Sequence, residues 1–182
     1  MNMQVKIIGS LLILLSLACS EIGRKQSGIS VDTRNMTIIM PDSVELYPKD
    51  AYRPDSNKKA KLFTLIDVSC STCLIKMGQL NQLYTEIKKE NRDVGFIPIC
   101  YAADNFEMLK YLIETSKIDR VSVPLVLDVS NNFINLNEGI IDGLVVTTVL
   151  TDENNNVILA GDPLGSERDR IELLAILKSY TR

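Results

Sequence analysis

Between residues 61 and 180, short apolar runs of strand length alternate with segments of helical spacing, and this alternation restricts the chain to folds built around a parallel sheet. Two strands joined through a helix lie side by side in the same direction, since a hairpin turn has no room for the helix. Residues 61–68 (KLFTLIDV) and 94–100 (VGFIPIC) are near-continuous apolar runs, as strands covered on both faces must be. Pro98 points to an irregularity or a sheet edge near the end of the second. Between them, Leu74, Met77, Leu80, Leu83, Tyr84 and Ile87 recur at helical spacing over 73–90, with Lys76, Gln79, Glu86, Lys88 and Lys89 elsewhere on the wheel. Asp104 can cap a second helix reaching about Lys117, with Phe106, Leu109, Leu112 and Ile113 as its apolar stripe.

Residues 122–128 (SVPLVLD) read as a third strand and 131–138 as a short helical or irregular passage. The β-branched run 144–151 (LVVTTVLT), the turn Asn154-Asn155-Asn156 and 157–160 then predict a hairpin, closed by Gly161-Asp162-Pro163. A last amphipathic helix spans 167–180, with Ile171, Leu174 and Leu177 expected inward. Ahead of this body, 36–40 (MTIIM) is a short β-type run stopped by Pro41-Asp42, with 43–47 as its candidate partner and a polar loop over 52–60. The expected architecture is α/β: a mixed sheet, helices on both faces, an antiparallel terminal hairpin and an N-terminal β extension.

The chain has 182 residues with no histidine and no tryptophan, and a formal net charge of −3. Absence of imidazole excludes Ser-His-Asp triads, Cys-His proteases and His-ligated zinc. An acidic balance without a basic face speaks against nucleic acid as a partner. No flavin or nicotinamide motif is present, so no cofactor is expected. Chemistry is left to carboxylates, lysines, hydroxyls and four cysteines.

One cysteine belongs to a leader. Lys6 precedes an apolar run from 7 to 18, shorter than the ~20 residues of a membrane-spanning helix and right for a signal peptide. Its end, Ser16-Leu17-Ala18-Cys19, resembles the lipobox of bacterial lipoproteins, although Ser16 stands where Leu is usual. The resemblance implies lipid on Cys19, which would hold the protein at a membrane surface by acyl chains. Residues 1–18 are then a lipoprotein signal peptide, 19–28 a flexible tether and 29–182 the folded domain, with its core over about 61–181.

Cys70 and Cys73 fall where the first buried strand gives way to a helix. Three residues apart at a helix N-terminus, two sulfurs come within disulfide reach, and the first lies over unpaired N–H groups that favour its thiolate. Cys70 is therefore the candidate attacking thiolate and Cys73, one turn in, the candidate resolving thiol. An inert structural disulfide is the rival reading. A zinc knuckle would need two more ligands, and only Cys100 remains, which reads as a buried small hydrophobe. Asp67 could accept a proton from Cys73 or serve a turn.

Residues from about 61 to 180 resemble the thioredoxin fold, and within it the membrane-tethered TlpA-like thiol–disulfide oxidoreductases of bacterial envelopes, including short lipoprotein forms of Bacteroidetes-type bacteria. Thr147-Thr148-Val149-Leu150-Thr151-Asp152, the Asn turn and Val157 are similar to that family's Pro-Thr-Thr-Phe-Leu-Ile-Asp hairpin. The resemblance implies a redox-active Cys70–Cys73 disulfide that exchanges with protein thiols or disulfides in the cell envelope, on the periplasmic or surface side. It also implies substrate docking around Ser69, Val146 and Thr147. Ser69 stands where the family has Trp, Gly78 where it has Pro, and Val146 where it has a cis-proline. These departures motivate a second reading, a redox-inactive binding or scaffold lipoprotein. A thiol peroxidase would carry Pro-x-x-x-Thr-x-x-Cys, and neither Cys70 nor Cys73 has that spacing.

Overall fold

The β-type run over residues 36–40 does not pair with the described part, 45–47, of its candidate partner 43–47; the two attach to different parts of one sheet. The computed structural model describes residues 36–41, 45–47, 58–69, 72–90, 93–115 and 123–180. The expected leader and tether (1–28), the lipidation site Cys19 and the candidate nucleophile Cys70 lie outside the described residues. Among the described residues the strands are β1 (Glu45–Tyr47), β2 (Ala60–Asp67), β3 (Val94–Tyr101), β4 (Leu125–Leu127), β5 (Thr148–Asp152) and β6 (Val157–Gly161). The helices are α1 (Cys73–Glu90), α2 (Glu107–Glu114), α3 (Asn132–Leu136) and α4 (Glu167–Tyr180).

The sheet order is β1-β4-β3-β2-β5-β6. β2 and β3 run parallel from Ala60↔Val94 to Asp67↔Tyr101, and β4 continues the parallel core with Ile99↔Val126. β5 lies antiparallel to β2 and β6 antiparallel to β5, which is the expected terminal hairpin; β1 closes the other edge antiparallel to β4. The mixed sheet with helices on both faces is as the sequence predicts. β3 is interior, so Pro98 marks no edge. Its missing N–H falls just before the β4 ladder begins at Ile99, where the loss is least costly.

Strand alternation sorts the core into two faces. On one, Leu62 and Ile66 of β2, Phe96 of β3 and Leu150 of β5 pack under Met77, Leu80, Leu83 and Ile87 of α1, with Leu109 of α2 and Leu173 and Leu177 of α4. On the other, Phe63, Leu65, Ile97, Ile99 and Val149 meet Phe133 of α3, Ile140, Ile141 and Ile38. Phe63 and Phe133 stack with centroids 6.2 Å apart, and Tyr84 meets Phe96 edge-on at 5.4 Å. Each such side chain contributes about 1.5–3 kcal/mol by leaving water. In α4 the inward pair is Leu173 and Leu177, while Ile171 is 60% exposed, contrary to expectation. Two stripes, 171/174/177 and 173/177, share Leu177, and only the approach of the helix to the sheet selects between them.

The run over 36–41 forms a strap across the second face. Its Ile38 is buried there, the Val157 N–H donates to the Met36 carbonyl at 2.8 Å, and the Ile38 N–H donates to the Asn155 carbonyl at 2.9 Å. Buried Asn137, just past α3, completes the attachment: its Oδ1 accepts the Ile39 N–H at 2.7 Å and its Nδ2 donates to the Ile39 carbonyl at 2.8 Å. One side-chain amide thus does for the strap what a neighbouring strand would do.

Candidate functional site at the β2–α1 junction

β2 delivers the chain to the C-terminal end of the parallel core, where the Val68 N–H still donates to the Tyr101 carbonyl at 2.9 Å. There Asp67 ends the strand. Its Oδ1 accepts both the Ser69 N–H at 2.9 Å and the Ser69 hydroxyl at 2.5 Å, a side-chain turn that redirects the backbone. The turn role foreseen for Asp67 is the one the structure displays, and Ser69 is tied into it. α1 then opens at Cys73, with no acidic residue in its first turn and Lys88 and Lys89 in its last. Its positive end therefore meets no carboxylate of its own, and its negative end is matched by charge. Cys70 precedes this start by three residues. Gly78 is exposed and a Cβ there would meet nothing, so packing places no demand for glycine at that turn of α1. Cys100 is fully buried in the first-face core, among apolar side chains.

Across from the junction, the Leu65 N–H donates to the Thr147 carbonyl at 2.7 Å. This bond extends the β2–β5 ladder and places the loop before β5 at the same end of the sheet as the start of α1. The sequence reads 144–147 as strand, but β5 begins only at Thr148. The cause is Asp142. Its Oδ1 accepts the N–H groups of Leu144, Val145 and Val146 at 2.8, 2.7 and 2.9 Å. In return the Val146 carbonyl accepts from the Asp142 and Gly143 N–H groups, both at 3.3 Å. Gly143 sits at φ +73°, a conformation that suits glycine, packed near Leu65, Ile134 and the Tyr101 hydroxyl.

This loop sorts the expected docking residues. Thr147 is 1% exposed; its N–H donates to the Gly161 carbonyl at 3.0 Å and its hydroxyl to Asp162 Oδ1 at 2.7 Å, so it supports the loop from below. Val146 is partly buried, with both backbone polar groups closed onto residues 142 and 143. Facing outward are Leu144, 85% exposed, and Val145, 72% exposed. Asp142 had no place in the sequence reading, although Asp142-Gly143 is a recognisable turn signal. Among the described residues, no three or more His, Cys, Asp or Glu side chains gather as a metal site, and no helix is long and apolar enough to cross a membrane.

The hydrogen bond from Val146, with those from Leu144 and Val145, holds the Asp142 carboxyl below the usual carboxylate range. Asp152 behaves alike for a different balance: burial raises it, but the Asn156 side chain, the Asn156 and Asn154 N–H groups and the Lys61 charge together bring it down. Lys61 is lowered by burial against the pull of Asp152 and Glu153, and its Nζ donates to the Glu153 carbonyl at 2.9 Å. A carboxyl depressed in the folded state contributes stability that is complete above the unfolded value of about 3.9 and is lost as pH falls through the folded value. The thermal midpoint of the protein is therefore expected to fall more steeply below about pH 4 than that of Asp152→Asn. Parallel curves for the two proteins would remove Asp152 from the acid response.

No protein-family model matches the chain, and no curated protein matches it. Solved structures do. A candidate protein disulfide isomerase from Bacteroides thetaiotaomicron aligns with a TM-score of 0.56 at 19% identity, over 80% of this chain and 89% of its own. A thioredoxin-like protein from Porphyromonas gingivalis aligns with a TM-score of 0.51 at 14% identity, over 81% and 94%. A candidate electron transfer protein from Aquifex aeolicus gives 0.51 at 14%, over 80% and 94%. At these identities the likeness concerns architecture.

Proposed function

The chain has a thioredoxin-like fold, and on that premise we propose that it exchanges disulfides with protein partners through Cys70 and Cys73. The observation that carries the proposal is the start of α1 at Cys73, directly behind a buried parallel strand and at the same end of the sheet as an exposed apolar loop. The Cys70 thiolate attacks one sulfur of a partner disulfide, the other partner sulfur leaves as a thiolate, and a mixed disulfide forms. Cys73, deprotonated, then attacks the Cys70 sulfur and expels the second partner thiolate. Two electrons pass to the partner and the Cys70–Cys73 disulfide remains; the reverse sequence oxidises a partner dithiol. Lipid on Cys19 keeps this chemistry at a membrane surface of the cell envelope, with residues 19–28 as tether. The likeness to the structure described as a candidate protein disulfide isomerase supports the reading.

A second reading has its own support: Asp142 closes the Val146 backbone, which in the resembling family meets the partner, and this fits a binding module with a structural disulfide. Equilibration of the protein in glutathione or dithiothreitol buffers separates the two. Exchange predicts a reduction potential between about −270 and about −120 mV with the fold intact in both states. A potential below about −300 mV, or unfolding upon reduction, makes the pair a staple and favours the binding module.

A further inference from the structure

Three consecutive amides converging on one carboxylate oxygen is an unusual commitment for an exposed loop, and it has a directional consequence. With the N–H groups of Leu144, Val145 and Val146 turned to Asp142, the loop has no backbone donor left there. Among the described residues no hydrogen bond reaches the Leu144 or Val145 carbonyl. The same two residues carry the most exposed large apolar side chains among those described. What the loop leaves unused is thus two backbone acceptors, on residues whose apolar side chains are exposed. An extended polypeptide segment complements that face, because it can donate backbone N–H groups and lay an apolar side chain beside Leu144 or Val145.

We propose that Asp142 is the positioning residue of the partner-docking loop, fixing residues 144–146 so that the Leu144 and Val145 carbonyls and side chains face an extended segment of the disulfide-bearing partner. Proline restricts a loop covalently through its ring; here a carboxylate restricts it through three charge-assisted hydrogen bonds. Gly143 at φ +73° and the buried Thr147 fix the two ends of the restricted segment, so the device sits on a rigid base. The low carboxyl pKa of Asp142 accords with an acceptor that stays ionised wherever the protein works. Asp142 touches neither sulfur in this scheme and acts only through the loop. The inference rests on the exchange reading above and deepens it.

The test compares the full protein with Asp142→Ala and Asp142→Asn in reducing two probes, a small aromatic disulfide and insulin, with dithiothreitol supplied to return the Cys70–Cys73 disulfide to the dithiol after each turnover. Loss of the carboxylate is expected to raise KM for insulin about tenfold, with kcat changed less than about twofold, because a loop that must be ordered on binding weakens docking rather than bond exchange. Asparagine keeps an acceptor oxygen, so Asp142→Asn is expected to return KM to within about threefold of the parent. An NMR titration of the parent gives a second readout: the Leu144, Val145 and Val146 amides are expected to shift together as Asp142 titrates, and to lose that transition in both variants. Unchanged insulin KM in Asp142→Ala, or a fall in kcat as large as the rise in KM in both variants, overturns the positioning role. A parent active on the small disulfide alone also overturns it. A parent inactive on both probes removes the exchange reading itself, and the docking role with it.

Discussion

Replacing Cys73 with serine is expected to stop exchange after its first step, lowering turnover with a protein disulfide on the order of a thousandfold while a covalent adduct with the partner accumulates. The reason lies in the order of attack. In the proposed order Cys70 forms the mixed disulfide without help from Cys73; release needs a second thiolate. Serine at 73 cannot supply it. Cys70→Ser should lose turnover to a similar extent but form no adduct. Mass spectrometry of the protein after incubation with oxidised insulin reads both outcomes. An adduct on Cys70→Ser and none on Cys73→Ser would reverse the two roles. If neither variant forms an adduct and both melt earlier by the same amount, the pair is a structural staple and the exchange mechanism is wrong.

The second large effect concerns stability. Asn137→Ala is expected to cost about 2–3 kcal/mol, seen as a midpoint lower by roughly 5–10 °C. Asn137 is buried and its side chain makes three bonds: two to the backbone of Ile39 and one from its Nδ2 to the Phe133 carbonyl at 2.8 Å. Alanine leaves the Ile39 N–H and carbonyl without these partners and loosens the strap over Phe133. Asn137→Asp is the informative companion. It retains an acceptor for the Ile39 N–H but sets a second oxygen against the Ile39 carbonyl, so its midpoint should recover as the pH is lowered and the carboxyl gains a proton. A midpoint of Asn137→Ala equal to that of the parent would show that the strap is held by Ile38 burial alone.

The same residues show what a sequence can and cannot disclose. β2, α1 and β3 were legible because their signals are local: unbroken apolar runs for strands covered twice, and recurrent spacing for the helix between them. The turn between β2 and α1 was legible for the same reason, since a strand followed by a helix fixes where a turn must come. The loop at 144–146 was not. Leu-Val-Val-Thr has every propensity for a strand, and one carboxylate at 142 takes the amides that a ladder would have used. Nor could the partner of residues 36–41 be foreseen. Its contacts are Asn137, Asn155 and Val157, about a hundred positions away, and no local rule ties them to a β-type run. Ile171 failed more simply, because two stripes satisfied the same spacing.

The strap also has a mechanical meaning. Tension arriving along the chain from the side of residue 19 reaches the described structure first at Met36, and its attachments come in series: the Met36 carbonyl to Val157, the Ile38 N–H to Asn155, then Ile39 to Asn137. Bonds arranged in series open one after another at low force, like a zip. Residues 36–41, and after them the three-residue edge strand β1, would give way before load reached β2, whose bonds to β3 and β5 lie side by side along its length and must be sheared together. Were the protein held by lipid on Cys19 as proposed, the strap would act as a mechanical fuse that yields while the end of the sheet carrying the β2–α1 junction keeps its shape.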